Sequence, residues 1–228
     1  MTRARRVVLA VVASLLLVPL AGGCATTRKA YYNAWEKFGY AKRERLVDNV
    51  KAARQEQVDA KKESASALEQ FKSVVNFKGG DLESVYSKLN KEYQRCESQA
   101  GEVRSKIDSV KNVASALFEE WEGEVGQIKD DPSLQKQSRD LLDRTRSNYK
   151  EMIDRMDAAA ATMDPVLTKF KNRVLFLKGN LNAQAIASLK GTEMEISGDI
   201  DKLIAEMQKS IEEADQFIQG IQGGKKSS

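Results

Sequence analysis

This 228-residue chain contains two cysteines and no histidine, so the cysteines are the side chains that most readily react. Without histidine the chain lacks the usual general base, the most common metal ligand and the usual pH switch. Cys24 closes the stretch 20–24 (LAGGC), whereas Cys96 lies far along the chain. If Cys24 is modified, Cys96 has no intramolecular partner and a disulfide framework is excluded. Of the two cysteines, Cys24 is therefore the candidate for a covalent modification near the N terminus.

The residues before Cys24 have the layout of a secretory signal. Three arginines precede an apolar block over residues 7–20, and small residues then lead into the cysteine. The order small, small, cysteine resembles the bacterial lipobox. This resemblance implies that residues 1–23 form a lipoprotein signal peptide and that residues 24–30 form a leader whose Cys24 carries lipid.

Two alternatives to the lipoprotein interpretation stay open, a plain cleaved signal peptide and an uncleaved membrane anchor. The apolar block has about fourteen residues, fewer than the roughly 20 that a helix needs to span a bilayer. Pro19 and the glycines at 22 and 23 also interrupt its end. The lipoprotein interpretation is therefore preferred over both.

The charge of the chain changes once the signal segment is set aside. Three of the 37 basic residues and none of the 33 acidic residues lie in residues 1–23, so the remainder carries a net charge of only +1. No strongly basic surface is left to favour a nucleic acid as partner. With 31% charged residues and three prolines, the composition favours long, solvated helices.

Residues 31–128 are predicted to form a first helical hairpin. A glycine-containing break at 78–81 (KGGD) separates two heptad patterns, and so short a loop makes the helices antiparallel. Cys96 belongs to the second pattern, so a buried thiol is favoured over a reactive one. The first pattern comprises Leu46, Val50, Ala53, Gln57, Ala60, Ser64, Ala67, Phe71 and Val74. The second comprises Leu82, Leu89, Cys96, Val103, Val110 and Leu117, together with Tyr86, Tyr93, Ala100, Ile107, Ala114 and Trp121.

Residues 134–222 are predicted to form a second helical hairpin after a linker at 129–133. Proline is disfavoured in a helix interior, so either a kink near 164–165 or two helices in series is expected. Gly179 and Asn180 are expected to end the run that follows, and Asn182 can cap the next helix. Residues 223–228 form a flexible tail. The heptad positions are Leu142, Tyr149, Met156, Met163, Phe170 and Leu177, with Ile153, Ala160, Leu167, Val174 and Leu181 offset from them.

The expected fold is all-α, built from two long antiparallel helical hairpins in a coiled-coil or elongated four-helix arrangement. The heptad patterns show which stripe of each helix is buried. They do not decide whether the two hairpins pack together, and they do not decide the oligomeric state.

Aromatic residues directly after the lipidated leader form one candidate functional surface. Tyr31, Tyr32 and Trp35 lie where tyrosine and tryptophan favour a membrane interface. The hairpin register also brings this region beside the end of the second helix, around residues 117–121. Packing against that helix is the favoured interpretation, and a membrane-proximal role is the alternative.

Four consecutive apolar residues at 174–177 form a second candidate surface. Val174 and Leu177 belong to the heptad pattern, so Leu175 and Phe176 must project away from it, because successive residues turn by about 100°. Burial against the rest of the protein is favoured. A docking site for a partner protein or lipid is the alternative.

The signatures of common enzymes are missing from the sequence. It contains no glycine-rich phosphate loop, no metal-spaced cluster and no nucleophile paired with histidine. Acidic and basic residues alternate as they do on solvated helix faces. We therefore expect no enzymatic activity, no cofactor and no metal site.

Several stretches of the chain resemble a family of proteobacterial coiled-coil lipoproteins catalogued as a domain of unknown function. They are residues 31–43, 66–81 (SALEQFKSVVNFKGGD), 116–121 (ALFEEW) and 164–189. The resemblance covers nearly the whole chain after the signal segment. It implies helical hairpins and a location in the cell envelope, and it supplies no activity and no binding residues.

The sequence as a whole predicts a non-enzymatic envelope lipoprotein that acts as a coiled-coil spacer or interaction scaffold. A lipid-binding or membrane-remodelling protein that uses residues 174–177 is the alternative. The expected partners are a membrane, through the lipid anchor, and an envelope protein. Ala25 follows Cys24, whereas an aspartate there would resemble inner-membrane retention signals, so the periplasmic face of the outer membrane is the expected location.

Overall fold

The computed structural model describes the backbone of residues 24–223 and the side chains of residues 41–182 and 184–222. The predicted signal peptide, residues 1–23, and residues 224–228 of the predicted tail lie outside the described residues. Contacts divide the chain into two units, residues 1–39 and residues 40–228. In the first unit, residues 24–39 are helical. All the packing described below lies in the second unit.

Six helices make up the described part of the chain, and no strand occurs there, so the predicted all-α fold is confirmed. In chain order the helices are α1 (Cys24–Val75), α2 (Leu82–Gln127), α3 (Pro132–Ala161), α4 (Met163–Gly179), α5 (Ala183–Lys190) and α6 (Glu193–Gly223).

Helices α1 and α2 pack as the antiparallel hairpin that the heptad patterns predict. Glu63 and Arg95 form an ion pair with a separation of 2.7 Å, and Lys42 pairs with Glu120. Residues earlier in α1 therefore lie beside residues later in α2, as in an antiparallel pair. Every heptad position predicted on α1 is buried, including Gln57 with no exposed surface.

The helices of the second half pack against this hairpin with antiparallel neighbours. Lys111 of α2 contacts Asp157 of α3 at 2.8 Å. Lys169 of α4 lies 2.5 Å from Asp199 of α6. The Ser210 hydroxyl of α6 donates to the Gln57 side-chain carbonyl of α1 over 2.9 Å. Together α1, α2, the α3–α4 pair and α6 form a closed four-helix bundle, which answers the question that the sequence left open.

The interior of the bundle contains two clusters of buried apolar side chains. One includes Leu46, Val110, Leu142, Met156 and Phe217, and the other includes Phe71, Leu89, Phe170, Val174 and Ile196. The second cluster adjoins the loop 76–81 and the connection 180–192, which we call the tip end. The opposite end, with residue 40 and the loop 128–131, is the base end.

A break between α3 and α4 matches the second alternative expected near 164–165, two helices in series. Thr162 ends α3 and precedes α4, three residues before Pro165. Proline clashes with the carbonyl one turn earlier and removes one amide donor, so its effect falls on the preceding turn. Pro165 itself lies in the first turn of α4, where helix amides have no intrahelical acceptor. The Thr162 hydroxyl donates to the Ala159 carbonyl over 2.7 Å and stabilises the end of α3.

Candidate docking surface at the tip end

The rotation of α4 about its axis is fixed by its buried side chains. The Phe170 ring packs edge-on against Phe71 at 6.3 Å and against Tyr93 at 6.1 Å, measured between ring centroids. Val174 and Leu177, one and two turns further on, have 2% and 0% of their surface exposed. These contacts hold one face of α4 against the other helices of the bundle.

The opposite face of α4 presents Leu175 and Phe176 to solvent. Leu175 is 53% exposed and Phe176 is 40% exposed, so both project away from the core as the helical spacing predicts. The favoured interpretation, that the whole segment 174–177 is buried by the rest of the protein, is correct for Val174 and Leu177. It is wrong for Leu175 and Phe176, because α4 can turn only one stripe toward its neighbours.

The connection after α4 adds an exposed apolar side chain, Leu181, to this end of the bundle. The heptad pattern predicts that Leu181 is buried, but this residue is 42% exposed because α4 ends at Gly179. The Asn180 side-chain amide donates to the Phe176 carbonyl over 3.0 Å, and the Asn182 side chain caps α5. The helix end at Gly179 and the Asn182 cap agree with the prediction from these residue types.

The segment 165–192 is basic throughout. It contains five lysine or arginine residues and no aspartate or glutamate. Lys169 is balanced by α6, since its ammonium lies 2.7 Å from Glu195 and 2.5 Å from Asp199. Within the described part of the chain, no ion pair involves Lys171 or Lys178, and both are exposed. The outer face of α4 therefore combines exposed apolar side chains with unbalanced positive charge.

The other predicted site residues lie outside the side chains that the structure describes. Cys24 is the first residue of α1, and Tyr31, Tyr32 and Trp35 follow in the same helix, but only their backbone is described. The lipid anchor and the membrane-proximal aromatic surface therefore stay predictions.

The interior of the bundle contains a small cavity lined by Ala60, Cys96 and Phe170 among other residues, with a volume of about 20 Å³. That space accommodates about one water molecule and is far below the volume of sites for organic ligands. Among the described residues, no three acidic, cysteine or histidine side chains are grouped to hold a metal ion. Nor does any helix there have the length and apolar content to cross a membrane.

The Cys96 thiol is expected to resist alkylation in the folded protein. The side chain is 7% exposed, and burial, with a further contribution from Glu63 and Glu92, raises its pKa to about 12. The reactive thiolate is therefore scarce at neutral pH. Iodoacetamide treatment at pH 8 should leave Cys96 unmodified by mass spectrometry in the native state and modify it fully in denaturant. Labelling at equal rates in both states would contradict burial, and the Cys96→Ala variant identifies the labelled site.

The same shift in pKa makes stability depend on alkaline pH. The folded protein retains the Cys96 proton up to about pH 12, whereas an ordinary thiol with a pKa of 9.0 has released it. Between these values the unfolded state binds fewer protons, so the free energy of unfolding falls as pH rises. Below about pH 9 this contribution is constant.

Comparison with known proteins identifies the family. A model of the family described as "Protein of unknown function (DUF2959)" matches residues 31–221, and the chain belongs to that family. No protein with a curated description matches the chain. The predicted resemblance to a family of unknown function is thus confirmed. The matched region begins after Cys24, so it does not bear on the lipid anchor.

Proposed function

We propose that this member of the DUF2959 family is a non-enzymatic, lipid-anchored spacer or interaction scaffold of the cell envelope. One observation carries the proposal: one end of the bundle leads to the predicted lipid anchor, and the other end exposes apolar side chains. The base end is joined covalently, through residues 24–39, to the predicted lipid at Cys24. The tip end exposes Leu175 and Phe176, which are 53% and 40% accessible.

The length of the bundle suits a spacer. From residue 41 to residue 75, α1 extends about 50 Å at 1.5 Å per residue. Ion pairs between neighbouring helices occur along this length, from Lys42–Glu120 near the base to Lys169–Asp199 toward the tip. Each exposed pair contributes little by itself, but the continuous apolar core between them keeps the helices parallel to one axis. A rod of this kind holds its two ends at a fixed separation.

The absence of histidine from the whole sequence supports a role without catalysis, because histidine is the side chain most often used as a general acid or base. The cavity lined by Ala60, Cys96 and Phe170 has a volume of only about 20 Å³, too small for an organic ligand. A protein whose interior is filled in this way interacts with partners through its surface. We place the protein at the periplasmic face of the outer membrane, because Ala25 and not aspartate follows Cys24.

Replacing Cys24 with serine is expected to abolish lipid attachment. The lipobox-like stretch provides one thiol for a thioether to lipid, and a hydroxyl does not substitute for it in this modification. Cells grown with a palmitate analogue should label the wild-type protein and the Cys96→Ala variant, but not the Cys24→Ser variant. The labelled protein should fractionate with membranes.

Cys96→Ala is the matched control, since it removes the second cysteine of the chain and leaves the first in place. Labelling that persists in Cys24→Ser would end the anchor proposal and, with it, the proposed spacer role. Loss of label in both variants would instead show that Cys96 affects folding or export.

A further inference from the structure

The outer face of α4 combines lysine and apolar side chains at helical spacing. Lys171, Leu175 and Lys178 are related by steps of four and three residues, so they lie on one face, with Phe176 beside them. All four side chains are exposed. We call these four residues, with Leu181 in the following turn, the tip face.

We propose that the tip face binds the surface of a bilayer that contains anionic phospholipid. The inference rests on the proposed spacer function, which would present this face about 50 Å from the base end. The apolar side chains would enter the boundary between headgroups and acyl chains. The lysines would stay at the level of the phosphates, because their long aliphatic stems let the ammonium groups reach the headgroups.

Charge complementarity favours an anionic surface over a neutral one. The segment 165–192 has no acidic residue, and Asp164 and Glu193 lie directly before and after it. Asp164 pairs with Arg104, and Lys169 pairs with both Glu195 and Asp199. On the loop 76–81 at the same end, the Asp81 carboxylate accepts the Glu83 amide as a helix cap. The tip face itself therefore carries net positive charge, and attraction to anionic headgroups should strengthen binding about fivefold per basic residue.

The composition of the tip face suits a lipid surface better than a protein surface. Protein interfaces are depleted in lysine at their centre and gain most of their energy from aromatic or arginine side chains seated in pockets. Here two lysines flank Leu175 on the exposed outer face of a single helix. A bilayer accommodates such a face without requiring a complementary shape.

Capture of one vesicle population by another tests the proposal with the intact, lipidated protein. The protein is incorporated at low density into donor vesicles of phosphatidylcholine, and flotation of the donors reports the lipid anchor. Fluorescent acceptor vesicles without protein then contain either phosphatidylcholine alone or phosphatidylcholine with phosphatidylglycerol. We expect capture of the anionic acceptors only, and weaker capture as salt is raised, because the Debye length shortens.

Two double variants of the tip face should reduce capture for different reasons. Lys171→Gln with Lys178→Gln should raise the acceptor concentration for half-maximal capture about 30-fold, since each lysine contributes about fivefold near an anionic surface. Leu175→Ser with Phe176→Ser should raise it at least about tenfold, because both apolar side chains lose their burial in the bilayer. Both variants should melt as the wild type does, because all four side chains are exposed.

Matched controls come from the base end of the bundle. Leu134 and Leu141 of α3 are 51% and 45% exposed, which is comparable with the apolar residues of the tip face. Leu134→Ser with Leu141→Ser should leave capture unchanged. Lys129→Gln with Lys136→Gln removes two exposed lysines at the base end and should also have no effect.

Several outcomes would overturn the proposal. These are equal capture of neutral and anionic acceptors, capture that no tip variant alters, and no capture at all. If no capture occurs, a protein crosslinked to the wild type in cells, but not to a Phe176 variant, would identify a protein partner instead. If the donors fail to retain the protein, the anchor proposal is wrong. The protein is then mixed directly with anionic and neutral acceptor vesicles, and the same variants decide whether the tip face binds them.

Discussion

Replacing Phe170 with alanine is expected to lower the free energy of unfolding by about 3–5 kcal/mol, as truncation of buried phenylalanine does in other cores. The ring is 2% exposed and lies between Phe71 of α1 and Tyr93 of α2. Its removal takes away both edge-on contacts and leaves a space beside the existing cavity, which Phe170 already lines. Urea denaturation followed by circular dichroism measures the effect.

Phe176→Ala provides the control, because it removes the same side chain from the same helix. Phe176 is 40% exposed and belongs to the tip face, so its truncation should change the free energy of unfolding by less than about 0.5 kcal/mol. Equal effects of the two substitutions would show that α4 is rotated differently about its axis. A large effect of Phe176→Ala alone would mean that the tip face is the buried one.

The first hairpin could be predicted in detail from its sequence because a short loop leaves few alternatives. Once the loop 76–81 forces α1 and α2 to be antiparallel, the heptad patterns fix the register, and Ala60, Cys96 and Phe71 are buried as expected. The packing of the two hairpins against each other could not be derived in this way, since a heptad stripe does not identify the helix that covers it.

A signal for the four-helix bundle was nevertheless present. Val47, Leu68 and Val75 each follow a heptad position and are 4–5% exposed. A stripe that is widened by such residues is typical of a helix with two neighbours, whereas a two-stranded coil buries a narrower one. At the tip end, the exposure of Leu175 was predictable from the spacing of Val174 and Leu177. The end of α4 at Gly179 was also predictable, from the turn residues Gly179, Asn180 and Asn182. Leu181 was nevertheless assigned to the heptad pattern, although it follows that helix end and is 42% exposed.

Replacing Ser210 with alanine is expected to lower the free energy of unfolding by about 1–3 kcal/mol, the cost of a buried polar group without a partner. The Ser210 hydroxyl donates to the Gln57 carbonyl over 2.9 Å, and both residues have no exposed surface. The Gln57 Nε2 atom has no hydrogen-bond partner among the described residues. In Ser210→Ala, the buried side-chain amide of Gln57 therefore loses the one hydrogen bond that it makes among the described residues.

The double variant Gln57→Leu with Ser210→Ala is expected to recover at least the stability lost in Ser210→Ala. Replacing both members of a buried polar pair by apolar groups of similar size is often neutral or stabilising. Chemical denaturation of the wild type, both single variants and the double variant completes the cycle. Ser147→Ala, at an exposed position of α3, is the control and should have no effect. A double variant less stable than either single variant would contradict this account.

The pairing of α1 with α6 also determines when the protein can fold. Arg54–Asp215, Gln57–Ser210 and Lys61–Gln208 join residues that are 147 to 161 positions apart in the chain. Contacts at such separations form late and slow the folding of a domain, because a long loop must close first. A chain that has emerged only as far as α5 leaves the α6-facing surface of α1 uncovered. Until α6 docks, that surface is available to chaperones or to a second partly folded chain, so the interval before α6 docks is the one in which aggregation is favoured.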